Sequence, residues 1–268
     1  MRSPTVSSAD LAAVVLAAGE GRRLRPLTLI RPKPLCPVAN VPLIERAFVE
    51  VSALIGAPSP GQVAVNAHHL ADQIAQWVGD GAHLSVEQPA PLGTAGAIGQ
   101  LRSWLAGRDV LIRNADAWRD GPVPSTFVTE WDGQRPRLLV VHDEPRADFA
   151  GGFRYAGLSL LPGSTAQTIA AAPAGLYEEV WRAAERDSRL DLVVSDALFI
   201  DCGTPADYLR ANLAASGGES VIGAGAVVDG DVIRSVVWPG AVVRRGERLV
   251  ECIRVGTDVT VQARLPAT

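Results

Sequence analysis

The sequence predicts an α/β fold: a Rossmann-like, mostly parallel sheet with helices on both faces, followed by a short C-terminal left-handed parallel β-helix of hexapeptide repeats. Three observations carry this. Apolar runs alternate with amphipathic stretches through roughly the first 200 residues, the pattern of a sheet built from β-α units. The first run ends in a turn rich in glycine and cations. From residue 214 onward, valine, isoleucine and glycine recur at roughly six-residue spacing, as in stacked coils with small residues at the corners and aliphatics inside.

Taken in order, LAAVVLAA (11–18) is an unbroken apolar run and predicts a strand buried on both faces. VPLIERAFVEVSALIG repeats apolar residues at Ile44, Phe48, Val51 and Ile55 and predicts a helix. VAVNA (63–67) is the next strand, and the following helix places Leu70, Ile74 and Trp77 or Val78 on one face. HLSVEQ (83–88) leads through a PLGTAG loop into a helix AIGQLRSWLAG, and DVLIRNAD (109–116) is an apolar segment ending in an acid. Residues 138–142 and 155–161 predict strands, 176–187 an amphipathic helix, and ALFIDCG a late strand. These divide into a main domain, 1–213, and a tail, 214–268. The tail holds about two or three coils, so it is expected to dock on the main domain or on another subunit, which makes a homo-oligomer one expected partner.

The composition excludes several classes. A net charge of −4 over 268 residues offers no general basic surface for nucleic acid. Cys36, Cys202 and Cys252 are far apart and form no CxxC pair, so neither a zinc site nor a disulfide framework is expected. The polar start MRSPTVSSADL and the early break of the apolar run after it predict no signal core and no membrane span, and a cytoplasmic location.

The chemistry gathers in residues 14–35, VVLAAGEGRRLRPLTLIRPKPL. In open α/β sheets ligands bind beyond the carboxyl ends of strands, and glycine there lets backbone N–H groups approach phosphate. Gly19 and Gly21 stand at that point, followed by Arg22, Arg23, Arg25, Arg31 and Lys33 within one loop. A polyphosphate ligand is the natural match for that charge.

LAAGEGRRLRPLT followed by RPKPLCPVANVPLIE resembles the signature of the sugar-1-phosphate nucleotidyltransferases, and EQPAPLGTAGAI, RNADAW and FIDCGTPADYLRAN follow in that family's order. The resemblance covers about residues 11–213. It implies a transferase that makes an NDP-sugar and pyrophosphate from an NTP and a sugar 1-phosphate, for sugar nucleotide biosynthesis. Ala17, Ala18, Gly19 and Gly21 would line the nucleotide phosphates. Arg23 would steady the pentavalent phosphorus and the departing pyrophosphate, and Lys33 would contact phosphate as a point charge. Gln88 and Gly93 would read the base, Thr94 would also bind the nucleotide, and Asp116 and Asp201 would hold Mg²⁺. The spelling is similar to both mannose-1-phosphate guanylyltransferases and N-acetylmuramate-1-phosphate uridylyltransferases, which favours GTP or UTP.

Some residues depart from the family pattern. Arg22 stands where a small residue is usual, Ala115 replaces the glycine of Asn-Gly-Asp, and no Glu-Lys-Pro segment is found in the short middle of the chain. Arg113 offers a cation that would replace that segment's lysine. The same departures motivate an alternative, a non-catalytic regulatory or sensor homologue that binds a nucleotide sugar. His68 and His69 are read as cap or surface residues. Trp104, Trp118, Trp131 and Trp181 are read as packing, with Trp118 also a candidate to line a sugar pocket.

Overall fold

The computed structural model describes residues 11–56 and 58–265; the polar stretch 1–10, read above as lacking a signal core, lies outside the described residues. The chain divides into two compact units. The first is Met1–Gly19, Ala47–Ala115 and Gly121–Leu198; the second is Glu20–Arg46, Asp116–Asp120 and Phe199–Thr268.

The first unit is built on a seven-stranded sheet in the order Asp191–Val194, Arg137–His142, Phe153–Leu161, Val110–Asn114, Ala12–Leu16, Val63–Ala67, His83–Val86. Phe153–Leu161 runs antiparallel to both neighbours, and the other pairs are parallel. Ala12–Leu16 is buried along its whole length, as its unbroken apolar spelling requires of a central strand. From it the chain first builds outward through Val63–Ala67 to His83–Val86, then crosses back to Val110–Asn114 on the other side. That reversal is the switch point at which open sheets bind ligands, and there Leu16 lies in register with both Asn66 and Asn114. The core packs Val14, Leu16, Ile98, Ile112, Val140 and Trp181 together.

Two elements differ from expectation. The helix expected to begin at Ala97 spans Gly93–Gln100 and takes in part of PLGTAG. The 176–187 segment is a wide π turn, Tyr177–Trp181, continued by an α-helix Arg182–Arg186.

In the second unit, Ala117–Arg119 pairs antiparallel with Phe199–Asp201, so the late strand lies in a two-stranded ribbon outside the large sheet. The helix Pro205–Ala215 follows, with Pro205 in its first turn and the Thr204 hydroxyl accepting from the Asp207 N–H at 3.1 Å. The tail then stacks in parallel on three faces. Val221–Ile222 pairs with Val236–Val237 and that with Cys252–Val255; Val227–Val228 pairs with Val242–Val243; Asp231–Ile233 pairs with Arg248–Val250. The register carries Val221 to Val236 and Val236 to Ile253, so the coils run shorter than three strict hexapeptides. Val237, Ala241, Val243, Leu249 and Cys252 fill the coil interior. Val236, Trp238 and Ile253 join Leu24, Leu43, Trp118, Tyr208 and Leu209 in one core, so the tail is docked within this unit. Among the described residues no helix is long and apolar enough to cross a membrane.

Candidate active site

In the second unit the loop after Gly21 folds back on itself. Gly21 has φ +59°, and a Cβ there would stand 2.7 Å from Thr28 Cγ2 and 3.4 Å from Lys33 Cβ, so only glycine fits. The Thr28 hydroxyl donates to the Gly21 carbonyl at 2.9 Å, closing the loop. Lys33 lies in a short 3-10 turn between two prolines, its side chain 8% exposed. Its ammonium donates to Asp116 Oδ2 at 3.0 Å and to Asp201 Oδ1 at 2.8 Å. The antiparallel ribbon explains why these two acids meet: Asp201 stands opposite Ala117, and the Cys202 N–H donates to the Asp116 carbonyl at 3.2 Å. Arg23 reaches Asp201 Oδ2 at 3.6 Å, across Gly203, where a Cβ would lie 2.9 Å from the guanidinium. The structure therefore brings Arg23, Lys33, Asp116 and Asp201 together.

Burial alone would lower the Lys33 pKa, but Asp116 and Asp201 override it and hold the ammonium above its ordinary value. Lys33 is thus a fixed cation at any physiological pH. Burial pushes the Cys36 thiol up to about 12 and raises Cys202 further, so neither supplies a thiolate. Asp116 and Asp201 keep side chains 43% and 28% exposed while converging on one cation. Two carboxylates with room for phosphate oxygens suit Mg²⁺, which commonly takes one or two protein carboxylates and completes its shell with substrate and water. Among the described residues no group of three or more His, Cys, Asp or Glu forms a metal cluster, so no closed protein cage is built.

The first unit carries a different construction. Ala17 and Ala18 are buried where the central strand ends, and Gly19 is exposed with open space on its Cβ side. The Ala17 N–H donates to Asn66 Oδ1 at 2.6 Å, and the Asn66 amide donates to Glu87 Oε1 at 2.7 Å. Glu87 Oε2 accepts the Leu92 N–H at 2.6 Å. This relay ties the turn after the central strand to the backbone just before Gly93. Glu87 is only 1% exposed, whereas Gln88 beside it is exposed. Sequence reasoning missed Asn66 and Glu87. Their signal was a polar residue near the end of one apolar strand and an acid just past the next.

Gly93 and Thr94 open the helix rather than a loop. Gly93 has φ +71°, and a Cβ would meet the Ala174 carbonyl at 2.5 Å; at Gly96 and Gly99 a Cβ would run into the Ala172 and Ala170 carbonyls. The Thr94 hydroxyl accepts the Leu176 N–H at 2.8 Å. The helix is therefore packed directly against the 170–176 backbone.

The departures from the motif also find places. Arg22 is exposed and paired with Glu20 at 2.5 Å. Ala115 is fully buried and not among the residues of positive φ, so its backbone does not demand glycine. Arg113 does not replace the missing lysine: it is 1% exposed and bound to Glu50 at 2.6 Å and to the carbonyls of Asn114 and Gly157. Trp118 is 4% exposed and packs in the core of its unit. His68 and His69 precede the helix Ala71–Val78, with His68 Nδ1 3.0 Å from the Glu87 carbonyl.

The model of the nucleotidyl transferase family matches residues 12–133. The protein named "Probable mannose-1-phosphate guanylyltransferase 3" of Oryza sativa subsp. japonica is 27% identical over 295 residues, covering 90% of this chain and 80% of that protein. The N-acetylmuramate alpha-1-phosphate uridylyltransferase of Neisseria meningitidis serogroup B is 28% identical over 218 residues, covering 72% of this chain and 93% of its own. A crystal structure described as a mannose-1-phosphate geranyltransferase from Thermus thermophilus shares the fold, with a TM-score of 0.70, 16% identity and 95% coverage of both chains. The family-model match thus takes in a little under half of the chain, and the fold is that of the Thermus thermophilus structure.

Proposed function

We propose that this protein joins a guanylyl or uridylyl group from its NTP to a sugar 1-phosphate, releasing pyrophosphate, as a mannose-1-phosphate guanylyltransferase-like enzyme or a related uridylyltransferase. The observation that carries this is the convergence of Lys33 on Asp116 and Asp201, with Arg23 beside Asp201. A phosphate oxygen of the sugar is already an anion, so attack on the α-phosphorus needs no general base; it needs charge dispersed and atoms aligned.

In this reading residues 1–213 form the catalytic domain and 214–268 the tail. Ala17, Ala18, Gly19 and Gly21 line the triphosphate, and Arg23 binds the departing pyrophosphate. Gln88 and Gly93 read the base, and Thr94 also binds the nucleotide, from a backbone that Glu87 and Asn66 hold in place. Asp116 and Asp201 would hold Mg²⁺, which when bound supplies Lewis-acid stabilisation of phosphate charge. Lys33 keeps the two carboxylates at one spacing. Three buried free thiols fit a reducing, cytoplasmic setting.

The regulatory alternative rested on Arg22, Ala115 and the absent Glu-Lys-Pro segment; Arg22 is paired with Glu20 at the surface and Ala115 sits without strain, which leaves only the last. The deciding assay is pyrophosphate release with Mg²⁺, crossing GTP, UTP, dTTP, ATP and CTP with mannose, glucose, N-acetylglucosamine, N-acetylmuramate and heptose 1-phosphates. Release with GTP or UTP and one sugar phosphate is the expected result. Silence across the panel with nucleotide-sugar binding intact would overturn the catalytic reading.

A further inference from the structure

The segment that carries Lys33 is held at four points by the last third of the chain. The Arg31 guanidinium lies 4.7 Å over the Trp238 ring. The Tyr208 hydroxyl donates to the Pro37 carbonyl, and the Trp238 indole N–H donates to that hydroxyl at 3.0 Å. The Ala39 N–H donates to Asn212 Oδ1 at 3.0 Å, while the Asn212 amide donates to the Tyr208 carbonyl at 2.9 Å. Asn40 Nδ2 donates to the Ile222 carbonyl at 2.9 Å. Trp238 is 2% exposed, and Tyr208 and Asn212 are fully buried.

The backbone between these tethers is not one the segment would choose alone. Pro37–Val38 and Val41–Pro42 form a hairpin closed by two residues, Ala39 at φ 47° and Asn40 at φ 65°. Left-handed backbone at both positions is what a two-residue hairpin demands, and alanine resists it. Both residues of the turn are bound from outside the segment, Ala39 by the helix Pro205–Ala215 and Asn40 by the first coil of the tail. Lys33 stands between the Arg31 and Pro37 anchors, so its approach to Asp116 and Asp201 depends on where those anchors sit.

We propose that the C-terminal coils are a positioning element for Lys33: Trp238 and Ile222, together with Tyr208 and Asn212, set the 31–40 segment so that the ammonium bridges Asp116 and Asp201. The proposal rests on the reading of Lys33 as part of the phosphate-transfer site. It gives the short tail a role in the same chain's chemistry, through a positioning residue, Trp238, that touches no substrate.

The test uses the full-length protein. Trp238→Leu removes both the ring under Arg31 and the indole donor; kcat should fall about tenfold while KM for the NTP changes less than about twofold. Lys33 labelling by an amine reagent, read by mass spectrometry, should rise in the same variant. Leu139→Ala, a core change in the other unit, serves as a stability control and should leave kcat and Lys33 labelling at their wild-type values. In a Lys33→Met background, Trp238→Leu should cost no further kcat, because the two changes act on one group. Equal losses in both backgrounds, or unchanged kcat and labelling in Trp238→Leu, would overturn the proposal. Should Trp238→Leu not fold, Trp238→Phe, which deletes the indole bond, and Tyr208→Phe, which deletes that bond and the one to the Pro37 carbonyl, carry the same comparison. A wild-type protein without turnover would instead sink the catalytic reading, and Lys33 labelling would still decide whether the tail positions it.

Discussion

In the second unit, segments around Lys33, Asp116 and Asp201 meet through charged contacts of 2.8 and 3.0 Å and leave both carboxylates part exposed. In the first unit, Ala17, Asn66, Glu87 and Leu92 meet through hydrogen bonds of 2.6 to 2.7 Å and leave Glu87 only 1% exposed. Both constructions use carboxylates, yet to opposite ends. Each oxygen of Glu87 accepts a donor of the protein itself, so its charge is spent on holding backbone. Asp116 and Asp201 share one buried ammonium and still face solvent, which is the condition for meeting a second cation. Burial together with internal satisfaction sets Glu87 apart from Asp116 and Asp201, which stay part exposed.

The sharpest break in this comparison is Asp201→Ala. It removes the partner of both Lys33 and Arg23, and turnover should fall about a thousandfold in a protein whose circular dichroism is unchanged. Asp116→Ala should behave similarly, and full activity in either would remove that residue from the site. Lys33→Met follows, with a loss of about a hundredfold in kcat and about 1–3 kcal/mol of stability at pH 7, discounted because its partners are part exposed. The sign of its pH dependence is fixed. The folded pKa of Lys33 lies above the unfolded one, so its contribution is complete below about pH 10 and is lost only as pH rises through the higher folded value. Denaturant midpoints of wild type and Lys33→Met should therefore differ by a constant amount from about pH 6 to 9.

On the other side of the comparison, Glu87→Ala orphans the Asn66 amide and the Leu92 N–H. It should cost about 2 kcal/mol in urea unfolding. It should also raise the KM for NTP more than it lowers kcat; a kcat loss with unchanged KM would place Glu87 with the charged group instead. Gly93→Ala should cost about 1–2 kcal/mol, from the left-handed backbone and the contact with the Ala174 carbonyl, read as a lower thermal midpoint. The smallest effect is an absence of reaction: Cys36 and Cys202 should resist iodoacetamide at about pH 8 in the native state and react fully once the chain is denatured.

What the sequence determined by itself was the part written in local chemistry. A short unbroken apolar run stopped by a glycine turn reads as a strand buried on both faces, and Ala12–Leu16 is one. Arg23, Lys33, Asp116 and Asp201 were singled out because the segments around them resemble a family's motifs. The six-residue rhythm of the tail likewise announced stacked coils. Only the tertiary structure decided which groups meet. Lys33 reads as a phosphate contact along the chain, but a two-stranded ribbon that pairs residues 117–119 with 199–201 turns it into the bridge between two acids. Glu87 was hidden by its neighbour Gln88, since strand-end position alone does not say which of two adjacent polar side chains turns inward. Arg113 reads as an available cation until Glu50, on a helix far earlier in the chain, is seen to bind it. Tyr208 and Asn212 sit in the FIDCGTPADYLRAN segment and Trp238 in the tail, yet nothing in the spelling says that they bind residues 31–39; those bonds exist because the helix and coils pack where they do. Hydrophobic period and turn chemistry act between near neighbours in sequence, while hydrogen bonds and ion pairs across roughly 50 to 200 residues depend on closed loops that no local pattern encodes.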